Sequence, residues 1–354
     1  MKITDSIEKS ATLPGSYYRD EDIYRLQKER VFARSWQFIT DTDRLADSIL
    51  PHTLLPECLG EPLLITRSGD NIRVLSNVCT HRGSILVEEP CPASQKITCR
   101  YHGRCFTLDG SFASAPGFEE AADFPGESDN LARASHGIFG KFIFASINPD
   151  ISFDDMVADM RRRTSFLPLE DAVFDPGSSR DYYVNANWAL YVDNYLEGLH
   201  VPYVHPSLAR MLDTKDYRTE LFDHGSLQIG VAAKDEDCFD LPPDSREAGK
   251  RIAAYYYFLF PNTMLNFYPW GISVNVVEPI DVSHTRIRFL TYVIDRSRMD
   301  GYSPADIDVT EKEDEAVVEA VQRGIQARLY KAGRYSPGWE KGVHQFHRML
   351  SQRI

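Results

Sequence analysis

Two short runs, Cys79-Thr80-His81-Arg82-Gly83 and Cys99-Arg100-Tyr101-His102-Gly103, constrain this chain more than any other part of it. Each sets one thiol and one imidazole within a single turn, as Cys-x-His and Cys-x-x-His, and each ends on glycine. A Rieske [2Fe–2S] centre needs this donor set: two cysteines hold one iron, two histidines hold the other, and the histidines raise the reduction potential. A Cys2His2 zinc site uses the same donor types. Zinc knuckles, however, pair cysteine with cysteine in one half, so the mixed halves favour iron–sulfur. Such a centre by itself only moves electrons. The rest of the chain must supply their destination.

A chain of 354 residues can bury a substantial core and is expected to divide into two domains. It carries 39 basic and 52 acidic residues, a formal net charge of −13, which argues against nucleic acid or an anionic membrane as partner. No run reaches the roughly 18 apolar residues of a membrane span. The opening Met-Lys-Ile-Thr-Asp-Ser has no apolar core of a secretory signal. Six cysteines are too few for a disulfide scaffold, and unpaired thiol ligands suit a reducing cytosol, so a cytoplasmic location is expected.

Hydrophobic patterning divides the chain into an arm and two larger regions. Residues 1–38 read as an extended arm and an amphipathic helix over Asp20–Ser35, with Tyr24, Leu26, Val31 and Phe32 as its stripe. Residues 39–150 read as β. Pro62–Arg67 and Asn71–Asn77 flank a turn at Ser68-Gly69-Asp70, and Phe106–Phe112 contains Asp109-Gly110. Gly137–Ile147 alternates as one half-buried strand. Both Cys/His loops then fall at hairpin tips. Residues 151–354 mix the two patterns. A helix is expected over Asp154–Arg163, another over Trp188–His200, and a long one over Asp306–Tyr330. Thr219–Ala233, Tyr255–Pro261, Thr263–Tyr268, Ser273–Pro279 and Thr285–Ile294 have strand composition, and Glu236–Gly249 reads as a surface loop.

A second constellation lies in NYLEGLHVPYVHP, residues 194–206. Helical spacing puts Asn194, Glu197 and His200 on one face, Pro202 breaks the helix, and His205 follows. Two imidazoles flanking a helix end, with open positions and a carboxylate to come, suit non-haem Fe(II). The order is not that of a His-Glu-x-x-His zinc protease. Glu311, Glu313, Asp314 and Glu315 are the candidates for the carboxylate, although acidic residues also decorate helix starts for the macrodipole alone. Chemistry does not choose among the four.

Together these residues resemble the catalytic α-subunit of the Rieske non-haem iron oxygenases, over nearly the full length. The resemblance implies an α+β chain with a small all-β Rieske domain at 39–150. It also implies a catalytic domain at 151–354, whose antiparallel sheet wraps around a long helix in the helix-grip (START-like) manner, with the 1–38 arm packed on it. It implies that Cys79, His81, Cys99 and His102 bind the cluster. His200, His205 and Asp314 bind the mononuclear iron, Asp314 being the acid at the family's spacing from Gln322. It implies a homotrimer in which an acidic residue bridges the iron of one subunit and the cluster of its neighbour. Glu197 holds that position, where most of the family has Asp, and Asn194 accompanies it. Glu197, PNTMLNFYPWG and GRYSPGWEKGVHQFH look like the subgroup acting on choline, glycine betaine and carnitine. Arg104 stands where Trp often follows the cluster His-Gly. His344 and His347 share a helix face and are read as structural, as are Cys91 and Cys105.

The implied reaction takes electrons from NAD(P)H through a separate flavin/iron–sulfur reductase, since no nucleotide-binding glycine fingerprint occurs here. O2 then hydroxylates a small quaternary ammonium substrate, and attack at an N-methyl group releases formaldehyde. Such a cation cannot donate hydrogen bonds and is met by aromatic faces. Tyr191, Tyr203, Phe260, Phe267 and Trp270 are the candidates for a cage, although aromatic strands also pack cores. An aromatic-ring dioxygenase and a plain Rieske electron-transfer protein are the alternatives.

Overall fold

The computed structural model describes residues 3–45, 48–92, 96–205, 217–234, 236–299 and 304–354. The chain divides into two compact units, Ala33–Phe153 and Met1–Phe32 with Asp154–Ile354.

The smaller unit is built from three antiparallel sheets. In chain order its elements are β1 (Gln37–Asp41), the one-turn α2 (Thr42–Leu45), β2 (Ser48–Leu54), β3 (Glu61–Ser68), β4 (Asn71–Ser76), β5 (Cys91–Pro92), β6 (Lys96–Thr98), β7 (Cys105–Thr107), β8 (Phe112–Ser114), β9 (Ser135–Phe139) and β10 (Phe142–Ser146); α1 (Glu21–Arg30) precedes them in the other unit. The strand orders are β1-β10-β9, β4-β3-β2-β5 and β6-β7-β8. Period-2 alternation lets one hairpin serve two cores. Leu63, Ile65 and Val74 point into a core with Ile39, Leu54 and Ile143. Leu64 and Leu75 point the other way, into a core that includes Cys79, Cys99, Ile97, Phe106 and Leu131. Both cysteines are thus fixed by hydrophobic packing under the β3–β4 ribbon.

In the larger unit β11 (Val173–Phe174), β12 (Arg180–Val184), β13 (Arg218–Phe222), β14 (Gly225–Val231), β15 (Ile252–Leu259), β16 (Thr263–Tyr268), β17 (Gly271–Pro279) and β18 (Thr285–Val293) form one antiparallel sheet. Its order is β13-β14-β15-β16-β17-β18-β11, and β12 also pairs with β18. The helices are α3 (Phe153–Arg163), α4 (Trp188–Tyr195), the short α5 (Val201–Val204), α6 (Pro304–Gly324) and α7 (Lys341–Arg353). Every residue of β17 is buried, so both faces are covered at the sheet centre. The class is α+β.

Several expected boundaries move. Gly137–Ile147 is not one strand but the β9–β10 hairpin, because Gly140 adopts φ +54° and turns the chain. Thr219–Ala233 likewise folds back between Phe222 and Gly225. The helix expected over Asp20–Ser35 stops at Arg30, and that over Asp306–Tyr330 stops at Gly324. Half of the loop 236–249 is exposed, yet Phe239 is buried and Glu247 fully so. Its carboxylate pairs with Arg163 of α3 and, at 3.0 Å, with Arg218 of β13.

Candidate metal centres

The two Cys/His loops are the same turn built twice. Cys79 N–H donates to Ser84 O at 2.8 Å and Gly83 N–H to Cys79 O at 3.0 Å; Cys99 N–H donates to Arg104 O at 2.8 Å and Gly103 N–H to Cys99 O at 3.0 Å. The closing glycines have φ +71° and +73°, a left-handed conformation that a side chain disfavours. Within this frame the histidine sits two residues after Cys79 but three after Cys99. The rings of His81 and His102 meet edge to face at 4.7 Å. The cysteines are 2% exposed, His81 is half-buried and His102 exposed. Two buried thiols beneath two outward imidazoles are the donor set that a Rieske cluster takes, sulfur ligands on one iron and nitrogen on the other. None of the described cysteines is in a disulfide. Cys105 is occupied locally, 3.3 Å from Thr98 Oγ1, and Cys91 packs against the core around Cys79 and Cys99.

The second centre is assembled on α4, α5 and α6. Asn187 caps α4, accepting from Ala189 N–H at 3.0 Å, and its own N–H donates to Gln322 of α6 at 3.0 Å. Along α6, Asp308 accepts from Tyr182, Glu311 from Tyr191 (2.8 Å), and Glu319 from Asn185 (2.7 Å). These partners fix the rotation of α6 and turn Asp314 inward, where its Oδ1 accepts from Asn194 at 2.8 Å. The expected helix from Trp188 to His200 ends at Tyr195. Glu197 therefore does not share a helix face with Asn194. Its carboxylate instead accepts the backbone N–H groups of Leu199 and His200 and closes the turn before α5. Pro202 does not break a helix but lies in the first turn of one, where its missing N–H costs nothing.

His200, His205 and Asp314 converge, each offering one donor atom within 4.8 Å of the others. Asp314 Oδ1 lies 2.9 Å from His205 Nε2 and 3.7 Å from His200 Nε2. Donors about 2.1 Å from one ion stand roughly 3 Å apart, so the spacing suits a shared metal. The other nitrogens are also engaged. His200 Nδ1 is 2.7 Å from Glu197 Oε1, and His205 Nδ1 is 2.7 Å from Glu313 Oε2. A carboxylate behind each imidazole fixes the ring and its tautomer, as in metal-ligating histidines generally. The four acids lie not at the start of α6 but near its middle; of them Asp314 faces the trio, Glu313 backs His205, Glu311 is buried against Tyr191, and Glu315 contacts neither histidine. Burial opposes charge on His205, but its hydrogen bonds to Asp314 and Glu313 overcome this and hold its pKa above the usual 6.5. Burial beside Asp314 pushes Glu311 well above the carboxylate range.

Behind α4 lies a buried network that the sequence reading missed. Asp193 accepts from Tyr18 at 2.8 Å, and its other oxygen lies 2.8 Å from His347 Nε2; His347 Nδ1 is 2.7 Å from the Tyr335 hydroxyl. His347 therefore does have a carboxylate partner, in a structural brace rather than a metal pair. His344 meets the Thr4 carbonyl at 2.8 Å.

The five candidate cage residues do not converge. Tyr191 is buried on Glu311, and Phe267 is buried within β16 against Tyr257. Tyr203 is 82% exposed. Phe260 stands before β16 beside Phe346, whereas Trp270 stands after it, stacked on Tyr268 at 5.1 Å. A six-residue strand separates them by roughly 20 Å, too far to enclose one small cation. Tyr195, at the end of α4, donates to Asn266 at 2.6 Å.

Residues 171–354 match the family described as ring hydroxylating alpha subunit (catalytic domain), and residues 35–125 match the Rieske [2Fe-2S] domain. The chain belongs to the ring-hydroxylating α-subunit family. This α-subunit is 30% identical to chloroplastic choline monooxygenase of Arabidopsis thaliana over 369 residues, 98% of the chain and 84% of the relative. It is 30% identical to the carnitine monooxygenase oxygenase subunit of Escherichia coli K12 over 365 residues, 98% and 94% of the two. A solved quaternary ammonium Rieske monooxygenase superposes with a TM-score of 0.80 at 25% identity, covering 99% and 97% of the two chains. The two matching domains imply a Rieske cluster and a mononuclear iron. Among the described residues no helix is long and apolar enough to cross a membrane.

Proposed function

We propose that the chain is the terminal oxygenase that hydroxylates a small quaternary ammonium compound of the choline, glycine betaine, carnitine or stachydrine type. It would use O2 and electrons passed from NAD(P)H by a separate flavin/iron–sulfur reductase. The observation that carries this reading is the trio His200, His205 and Asp314, with a carboxylate behind each imidazole. It occurs in a chain similar over 98% of its length to choline and carnitine monooxygenases.

When bound, a Rieske cluster supplies single electrons, and a non-haem iron held by two histidines and a carboxylate keeps positions open for dioxygen. The chain's own contribution is positional. Cys79 and Cys99 would hold the cluster through buried thiolates, and His81 and His102 through their outward imidazoles. His102, being exposed, is the exit towards a neighbouring subunit in a cytoplasmic homotrimer. Glu197 orients His200 through Nδ1 and, by its likeness to the family's bridging acid, would meet the neighbour's cluster histidine. Asn194 holds Asp314 towards the two imidazoles. Glu313 keeps His205 presenting Nε2.

The test is turnover of choline, glycine betaine, carnitine, stachydrine and several aromatic acids with labelled dioxygen and a compatible reductase. One O2-derived atom per turnover is expected in the organic products: in the hydroxylated compound where a skeletal carbon is attacked, or in the formaldehyde released beside a tertiary amine where an N-methyl carbon is attacked. Two labels in a cis-diol would replace this reading with ring dihydroxylation.

A further inference from the structure

Arg104 directly follows the second Cys/His loop, and its side chain is 3% exposed. Its guanidinium lies 4.9, 5.2 and 5.5 Å from the ring centres of Phe118, Phe124 and Phe112. Those rings also meet one another, Phe112 with Phe124 at 5.0 Å and Phe118 with Phe124 at 4.9 Å. Nη1 donates to Thr80 Oγ1 at 2.9 Å and to Asp129 Oδ1 at 3.1 Å. Thr80 is the residue between Cys79 and His81, so a side chain from one loop reaches into the other. Phe118 closes the arrangement by meeting the His81 ring edge-on at 5.1 Å.

A guanidinium keeps its charge in any protein environment. Three aromatic faces stabilise that charge without cancelling it. Asp129 is the carboxylate in contact, and its side chain is 19% exposed, so water screens it better than it screens Arg104. Neither loop needs the cation to hold its own turn. The Thr80 hydroxyl already donates to the Asp129 carbonyl at 2.9 Å, and Cys99 N–H already binds the Arg104 carbonyl. What the cation adds is a fixed positive potential at the cysteine-histidine loop. Reduction adds one negative charge to a cluster held there, and in a low-dielectric interior a nearby cation favours the more negative state.

We propose that Arg104 sets the reduction potential of the Rieske cluster, acting through the Cys79–His81 loop to make the cluster easier to reduce than a neutral residue would. The proposal rests on assigning the cluster to Cys79, His81, Cys99 and His102. The test uses full-length, cluster-loaded wild type, R104K, R104Q and D129N. Midpoint potentials are measured by spectroelectrochemistry, with iron and sulfide content and the reduced-state EPR spectrum recorded for each. R104Q is expected to disfavour reduction about tenfold, which is 59 mV for a one-electron couple. R104K should stay within about threefold of wild type. D129N should move in the opposite sense, because it removes the counter-charge and leaves the cation.

A purely structural tie would change cluster content or spectral width and leave the potential in place. Unmoved potentials in both R104Q and D129N would overturn the proposal, as would an equal fall in R104K and R104Q. Should R104Q fail to hold a cluster, D129N decides alone, and an unchanged or lowered potential there sinks the idea. A wild type without a Rieske EPR signal would remove the cluster assignment instead, so the two failures remain distinct.

Discussion

His205 is held from both sides, with Asp314 at Nε2 and Glu313 at Nδ1. Without metal this favours an imidazolium, and the folded pKa accordingly lies above 6.5. The stabilisation it brings to the metal-free protein is complete below the unfolded value and is lost as pH rises through the folded one. A metal must displace the same proton. Affinity for Fe(II), or for Co(II) as a spectroscopic substitute, should therefore climb with pH through the raised His205 pKa and then level. E313Q should move that climb to lower pH and reduce the plateau affinity by roughly 10–100-fold. Competition titrations between pH 5.5 and 8.5 check both shifts. A plateau unchanged in E313Q would mean that Glu313 does not orient the ring.

Glu247 shows how a polar loop can send one carboxylate into the core. The segment 236–249 reads as polar and exposed, and half of it is exposed. Its one fully buried carboxylate nevertheless joins α3 to β13 through Arg163 and Arg218. Removing it takes one of three carboxylates from a buried guanidinium, so E247A should lose roughly 1–3 kcal/mol in a denaturant titration. A loss below about 1 kcal/mol would show that the remaining carboxylates, Glu220 and Asp159, satisfy Arg163 unaided. The same example explains what was legible beforehand. The Cys/His loops could be read because their ligands are neighbours in sequence, and the histidines at 200 and 205 for the same reason. The turns at Gly140-Lys141 and Asp223-His224 could not, since each is only a two-residue break between apolar runs and neither is an Asn-Gly or Asp-Gly pair. The end of α4 was hidden because Glu197 caps the following turn with its side chain, a local bond that mimics helical continuation. Asp314 could not be separated from its acidic neighbours by local chemistry. The rotation of α6 is set by Tyr182, Asn185, Asn187 and Tyr191, each more than 100 residues away.

At the scale of the molecule, the two centres are made by different units with separate cores, so loading one should not require the other. H102A is expected to abolish substrate turnover and the Rieske EPR signal while leaving mononuclear iron binding within about twofold of wild type. Iron analysis and a nitric oxide adduct spectrum would check this, and loss of both metals together would show that the units do not load independently. The brace behind α4 has a different consequence. Tyr18 and His347 are 329 residues apart, yet both grip Asp193 on the helix that also carries Asn194. Contacts of such long sequence separation form late, after the loop entropy of nearly the whole chain has been overcome. During synthesis all three candidate iron ligands leave the ribosome before α7 does. A nascent chain stopped at Gly324 would carry every ligand but lack the wall that holds α4 in place, which makes the iron site one of the last parts of the molecule to mature.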